Sequence, residues 1–221
     1  MKKLLVITAL TLMPLAVQAD EKINWTGPFL GVYAGYANGK DNGNSIGTAY
    51  TQDGSLNGGL FGVVGGFNHR LDNNVLIGIE ADIEGRNSDY NILQKFSGVP
   101  DPSSQLKTEL NTAGSIRGKL GYVFNNDQTL AYITGGYAAA DIKRTFTAVN
   151  AGMSETNSKV SNGWTAGFGL ENFINDKISV RAEYRYSSYS SEDFNIVMWS
   201  AVEHQKYDDE QSFRIGLNYH F

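Results

Sequence analysis

"VLIGIEADIEGR" (residues 75–86) separates into two lists when every second residue is read. Val75, Ile77, Ile79, Ala81 and Ile83 make one list, and Leu76, Gly78, Glu80, Asp82, Glu84 and Arg86 the other. A period of two belongs to a β-strand whose faces meet unlike media. In a water-soluble sheet the apolar list would face the interior. In a barrel that crosses a membrane it would face out, and the charges would face in. The fold turns on which of the two holds.

The pattern recurs along the chain. "ISVRAEYRY" sets Ile178, Val180, Ala182, Tyr184 and Tyr186 against Ser179, Arg181, Glu183 and Arg185. "SIRGKLGY" sets Ile116, Leu120 and Tyr122 against Arg117, Lys119 and Gly121. "GWTAGFGLE" sets Trp164, Ala166, Phe168 and Leu170 against Thr165, the glycines and Glu171, and "RIGLNYHF" sets Ile215, Leu217, Tyr219 and Phe221 against Arg214, Asn218 and His220. Three Gly-rich segments, at 28–37, 59–68 and 130–140, bring the number of candidate strands to eight.

Spacing decides between the two readings. Short turn-like connections ("HRLDNN", "NNDQ", "NDK") alternate strictly with long ones near 38–57, 88–108, 145–160 and 188–206. Short turns on one side and long loops on the other is the organisation of an outer-membrane barrel. A soluble domain has no reason to gather long structureless loops at one end. Each segment supplies the roughly 9–11 residues that a tilted transmembrane strand needs. An unpaired edge in lipid would strand its amides, so the sheet must close. The expectation is an all-β fold: an eight-stranded antiparallel up-and-down transmembrane β-barrel with four long extracellular loops and three short periplasmic turns. Tyr122, Tyr184, Tyr186, Tyr219 and Phe221 are placed to form aromatic girdles.

Composition agrees. The chain holds 25 Gly, 12 Tyr and 11 Phe against 4 Pro, and no Cys, which removes disulfide frameworks and thiolate metal sites. Residues 1–19, "MKKLLVITALTLMPLAVQA", read as a cleaved secretory signal peptide: two lysines, an apolar run, and small residues before the cut. Cleavage leaves residues 20–221 as the outer-membrane β-barrel domain, with 16 basic against 23 acidic residues, so the formal charge moves from −5 to −7. That balance argues against a nucleic-acid partner.

A family resemblance is carried by "WTGPFLGVYAGY" (25–36), "GGFN" (65–68), "IEAD" (79–82), "SIRGKLGY" (115–122), "YITGGYA" (132–138), "GWTAGFGLE" (163–171), "VRAEYRY" (180–186) and Phe221. In that order they are similar to the small eight-stranded outer-membrane β-barrel proteins, often labelled porin family, of alphaproteobacteria and relatives. The group includes major surface antigens and haemin-binding proteins. The resemblance implies export to the outer membrane of a Gram-negative bacterium. It also implies an assembly signal at Tyr219 and Phe221, read by the barrel-assembly machinery. The four loops match no motif.

By alternation Glu80, Asp82, Glu84, Glu171 and Glu183 point into the lumen beside Arg86, Arg117, Lys119, Arg181, Arg185 and Arg214. Eight strands leave an interior that side chains can fill, and buried charges must be paired. The expected role is therefore structural, a closed barrel serving membrane integrity and acting as a surface antigen. The alternative is a narrow pore for small solutes, with a charged constriction, or a haemin-binding surface protein. Haemin, suggested by the resemblance alone, would use His204 or Tyr207, with Met153 and Met198 as further candidates. Outer-membrane lipid and lipopolysaccharide are expected partners, and divalent cations could bridge to the latter through Asp41 and Asp53 or Glu192 and Asp193. Loop tips such as Trp199 could meet host surface molecules. Ser200 lies four residues before His204, but no nucleophile motif surrounds it, so no enzyme and no cofactor are expected. His69 and His220 are expected on the periplasmic side.

Overall fold

The computed structural model describes residues 23–221; the expected signal peptide lies outside the described residues. Nine strands follow in order: β1 Gly27–Ser45, β2 Tyr50–Arg70, β3 Val75–Phe96, β4 Val99–Phe124, β5 Thr129–Ala148, β6 Met153–Phe173, β7 Ile178–Tyr189, β8 Glu192–Ile196 and β9 Ala201–His220. From β1 to β7 each strand pairs antiparallel with the next, β9 pairs with β7, β8 and β1, and the β1–β9 pairing closes the barrel. β7 and β8 lie along the same side of β9 in one register, with Ser187 opposite Glu210 and Glu192 opposite Gln205. They are one wall strand interrupted at Ser190 and Ser191, so the barrel has eight walls.

The long connections differ from the expectation. β2 to β6 run for 21, 22, 26, 20 and 21 residues, about twice what a membrane crossing needs. The four "loops" are thus mostly strand, joined by tight tips at 46–49, 97–98, 149–152 and 197–200. The sequence hides this for a physical reason. Above an apolar layer both faces of a strand can carry polar residues, so burial still alternates while polarity does not. The upper part of β6, "MSETNSKVS" (153–161), has no apolar list.

The molecule therefore has two storeys. In the lower one apolar residues point outward: Ile79, Ile116, Ile133, Phe168 and Ile215 are each more than half exposed. This belt ends above at Tyr36, Tyr137, Trp164 and Tyr186, the last two with rings 5.5 Å apart. It ends below at Tyr122, Phe124, Tyr219 and Phe221. Tyr184 lies deeper, against Phe168. Glycine in "GLFGVVGGFN" makes room for rings in the bore: a Cβ at Gly62 would lie 2.7 Å from the Tyr33 ring, and one at Gly66 2.8 Å from that of Phe29.

Candidate functional site: the charged bore

Alternation along β3, β4, β6, β7 and β9 sends every second side chain inward, and the bore of the lower storey fills with charge. Six carboxylates (Glu80, Asp82, Glu84, Glu171, Glu183 and Glu210) face six cations (Arg86, Arg117, Lys119, Arg181, Arg185 and Arg214), all buried. Arg117 on β4 is the hub. It bonds Asp82 and Glu183, each at 2.9 Å, Thr134 at 3.0 Å, and pairs with Glu80. Glu80 also takes Lys119 at 2.8 Å and Arg181 at 3.3 Å. Arg185 joins Glu183 at 2.8 Å to Asp82 at 3.2 Å. Higher up, Glu84 accepts from Arg86 Nε at 2.8 Å, Tyr33 at 2.9 Å and Arg214 at 3.1 Å, while Arg86 reaches on to Glu210 at 2.8 Å.

The lower mouth is closed by rings. Trp25 packs on Phe173 at 4.5 Å and on His220, and its Nε1 donates to the Asp127 carbonyl. Glu171 gathers Asn218 at 2.7 Å, Ser179 at 2.5 Å and His220 at 3.2 Å, with Lys119 4.0 Å away. Lys119 stands over the Phe29 and Tyr132 rings. Two cavities beside Arg185 and Arg214 in the bore measure about 10 Å³ each, the size of a single water.

Above the bore the upper storey has its own interior. Leu56, Leu110, Ile142 and Tyr207 form one apolar cluster, and Leu106, Phe146, Phe194 and Ile196 another. Asp41 is bonded by Arg144 at 2.6 Å and by Tyr90 at 2.7 Å. Glu203 is buried among Gln52, Gln94 and Gln205 without an ion-pair partner in the described residues, and burial pushes its carboxyl above the ordinary 4.5.

Residues 4–221 match the family model of the outer membrane protein beta-barrel domain. The chain belongs to this family. It is 30% identical over 218 residues to the 31 kDa outer-membrane immunogenic protein of Brucella melitensis, covering 94% of this chain and 88% of the relative. It is 29% identical over 209 residues to the 25 kDa outer-membrane immunogenic protein of the same organism, covering 95% and 85%. The 22 kDa outer membrane protein of Rhizobium leguminosarum is 30% identical over 147 residues, with 66% and 59% covered. Among solved structures the fold is similar to the outer membrane protein OprG from Pseudomonas aeruginosa, with TM-score 0.58, 15% identity, and 91% and 99% covered. The protein is an outer-membrane β-barrel, and its apolar belt faces lipid.

As an outer-membrane barrel, it disperses most of the other candidate residues. His204 points outward and bonds Asp193 at 2.6 Å. Tyr207 is buried, bonds Glu210 at 2.9 Å and stacks on Tyr189. Three residues apart on one strand, they face opposite sides. Met153 is exposed beside a tip, whereas Met198 packs on the upper core. Ser200 sits at a tip in left-handed conformation, and the His204 ring is turned to Asp193 instead. Asp41 is buried, while Asp53 pairs outside with Lys95 at 3.0 Å. Glu192 lies 3.8 Å from Lys159. His69 is exposed at the end of β2, whereas His220 is inside the mouth.

Sequence reading missed Glu210, Tyr33, Tyr132 and the Asp41–Arg144 pair. Glu210 was within reach: stepping back by twos from Arg214 passes Ser212 and arrives there. Tyr33 and Tyr132 lie in Gly-rich segments where alternation is blurred, and an inward tyrosine reads like an outward one.

Proposed function

We propose that the protein is a non-conducting outer-membrane barrel whose lumen is closed by its own charged network, and that its work is structural. On this reading it anchors a stiff extracellular β-storey, contributes to membrane integrity and presents the hairpin tips as a surface antigen. The single observation that carries the reading is the match of six buried acids to six buried cations, interlocked across the bore. A buried charge without its partner costs several kcal/mol, so a path wide enough for solutes would have to break several pairs at once. The names of the Brucella relatives, outer-membrane immunogenic proteins, support a surface role.

Partners on this reading are outer-membrane lipid and lipopolysaccharide around the belt and host surface molecules at the tips. Residues 1–19 would serve export, and Tyr219 and Phe221, whose rings meet edge to face at 5.0 Å, would carry the assembly signal. Of the two haemin candidates, His204 faces out beside Asp193, whereas Tyr207 is buried. The test is single-channel recording of the refolded barrel in a planar bilayer. No discrete steps are expected. Reproducible steps that change with Arg117→Ala or Glu183→Ala would replace the closed barrel with a pore.

A further inference from the structure

The wall of the upper storey is open along one line. β6 is paired with β5 from Met153 to Asn172. With β7 it is paired only from Gly163 downward. Above that point the facing strand is β8, which is bonded to β9 alone. The last backbone link is Ser190 N–H to the Asn162 carbonyl at 2.7 Å. From 153 to 161, β6 therefore presents an edge with no strand on it among the described residues.

Burial reports the same opening. Inward residues of the adjoining β5, namely Ile142, Arg144 and Phe146, are buried, whereas Glu155, Asn157 and Lys159 on β6 are half-buried. The interruption between β2 and β3 is different: its strands rejoin in the same register above, at Thr51 and Lys95. Tyr90 covers Gly54 there, and Gln94 bonds Gln52 at 3.0 Å.

Only side chains bridge the β6–β8 seam. Glu155 accepts from the Met198 N–H at 3.1 Å, which holds its carboxyl below the ordinary range. Lys159 donates to the Asp193 carbonyl and lies over the Phe194 ring. These two side chains act as latches across the seam. Behind them the wall is stiff: Thr145–Thr156 and Thr147–Ser154 are hydroxyl pairs at 3.0 Å on the outer face.

We propose that the β6 edge, residues 153–161, is a docking site for an extended segment of another protein, which displaces the Glu155 and Lys159 latches and adds to β6 as an antiparallel strand. Backbone pairing would supply affinity and the charged side chains specificity. Glu155 and Lys159 fix the order of charges in the partner: read from its N-terminus, an acidic residue facing Lys159, then a basic residue four positions later facing Glu155. A second copy does not fit. Two copies in one membrane point the same way, so a symmetric contact would lay like strands parallel, Glu155 against Glu155 and Lys159 against Lys159. Like charges directly opposed are destabilising.

The test uses the refolded full barrel and a fluorescent nine-residue peptide of alternating Thr and Val, with Glu at its third position and Lys at its seventh. Anisotropy should show saturable binding, and hydrogen exchange should slow at 153–161. Methylating the peptide's alternate backbone nitrogens on the pairing side should weaken binding about tenfold or more, equal to about 1.4 kcal/mol. Exchanging the peptide's Glu and Lys should weaken it too, and the double variant E155K/K159E should prefer the exchanged peptide. Absence of binding, equal binding of the methylated peptide, or protection elsewhere would overturn the proposal.

Discussion

The two storeys are built from the same strands by opposite rules. Below Tyr137 and Trp164 the inside is charged and the outside apolar, with Arg117 and Glu183 in the bore and Ile79 and Phe168 on the belt. Above that line Phe146 and Leu106 are buried, while Lys143 and Thr145 face out. The backbone dictates only that burial alternates, and the surrounding medium dictates which chemistry each face takes. Lipid demands an apolar exterior, so charge is permitted only inside and must be paired there. Water accepts polar residues outside, so the interior can be apolar again.

That contrast can be broken at several points. Arg117→Ala should have the largest effect. It leaves Glu80, Asp82 and Glu183 without their common partner, at a cost of about 3–5 kcal/mol, read as a lower unfolding midpoint of the refolded barrel. Phe146→Ala should cost a similar amount, about 3–5 kcal/mol by cavity formation, but locally. Hydrogen exchange should rise around 104–110 and 142–148 while strands at the belt keep their protection. Faster exchange throughout would mean that the two storeys unfold as one.

Outward substitutions sharpen the comparison. Arginine at Ile79 or Ala182 should cost about 2–4 kcal/mol in lipid. Ser158→Arg, also outward but above the belt, should change stability by no more than about 0.5 kcal/mol. Equal costs measured by denaturant titration in vesicles would remove the distinction.

The smallest expected effect concerns pH. The Glu203 carboxyl is raised by burial, so the fold favours its neutral form. Its contribution is fully present below the ordinary 4.5 and is lost as pH rises through the raised value. Glu203→Gln should flatten this dependence in the upper storey's hydrogen exchange, after correction for intrinsic rates. An unchanged pH profile would show that Glu203 keeps its solvent-like titration.

The lower storey was legible because lipid forces polarity and burial to coincide. Glu80, Asp82, Arg181 and Glu183 lie inward by simple alternation. The upper storey was not legible, because in "NGKDNGNS" (38–45) and "MSETNSKVS" (153–161) both faces are polar and the period vanishes from the residue types. His220 marks the boundary of what alternation can tell. It placed the residue on the polar list, but whether a polar side chain at a barrel mouth turns into the bore depends on Trp25 and Phe173, which come from distant parts of the chain.

The most direct measurement is depth. The chain has no cysteine, so single cysteines at Ile79, Ile116, Thr145 and Ser158 can each carry a fluorophore in the barrel refolded into vesicles. Lipid-borne quenchers should act on labels at 79 and 116, and aqueous iodide on those at 145 and 158. Lipid quenching at 145 or 158 would place the upper storey in the membrane and contradict the two-storey division.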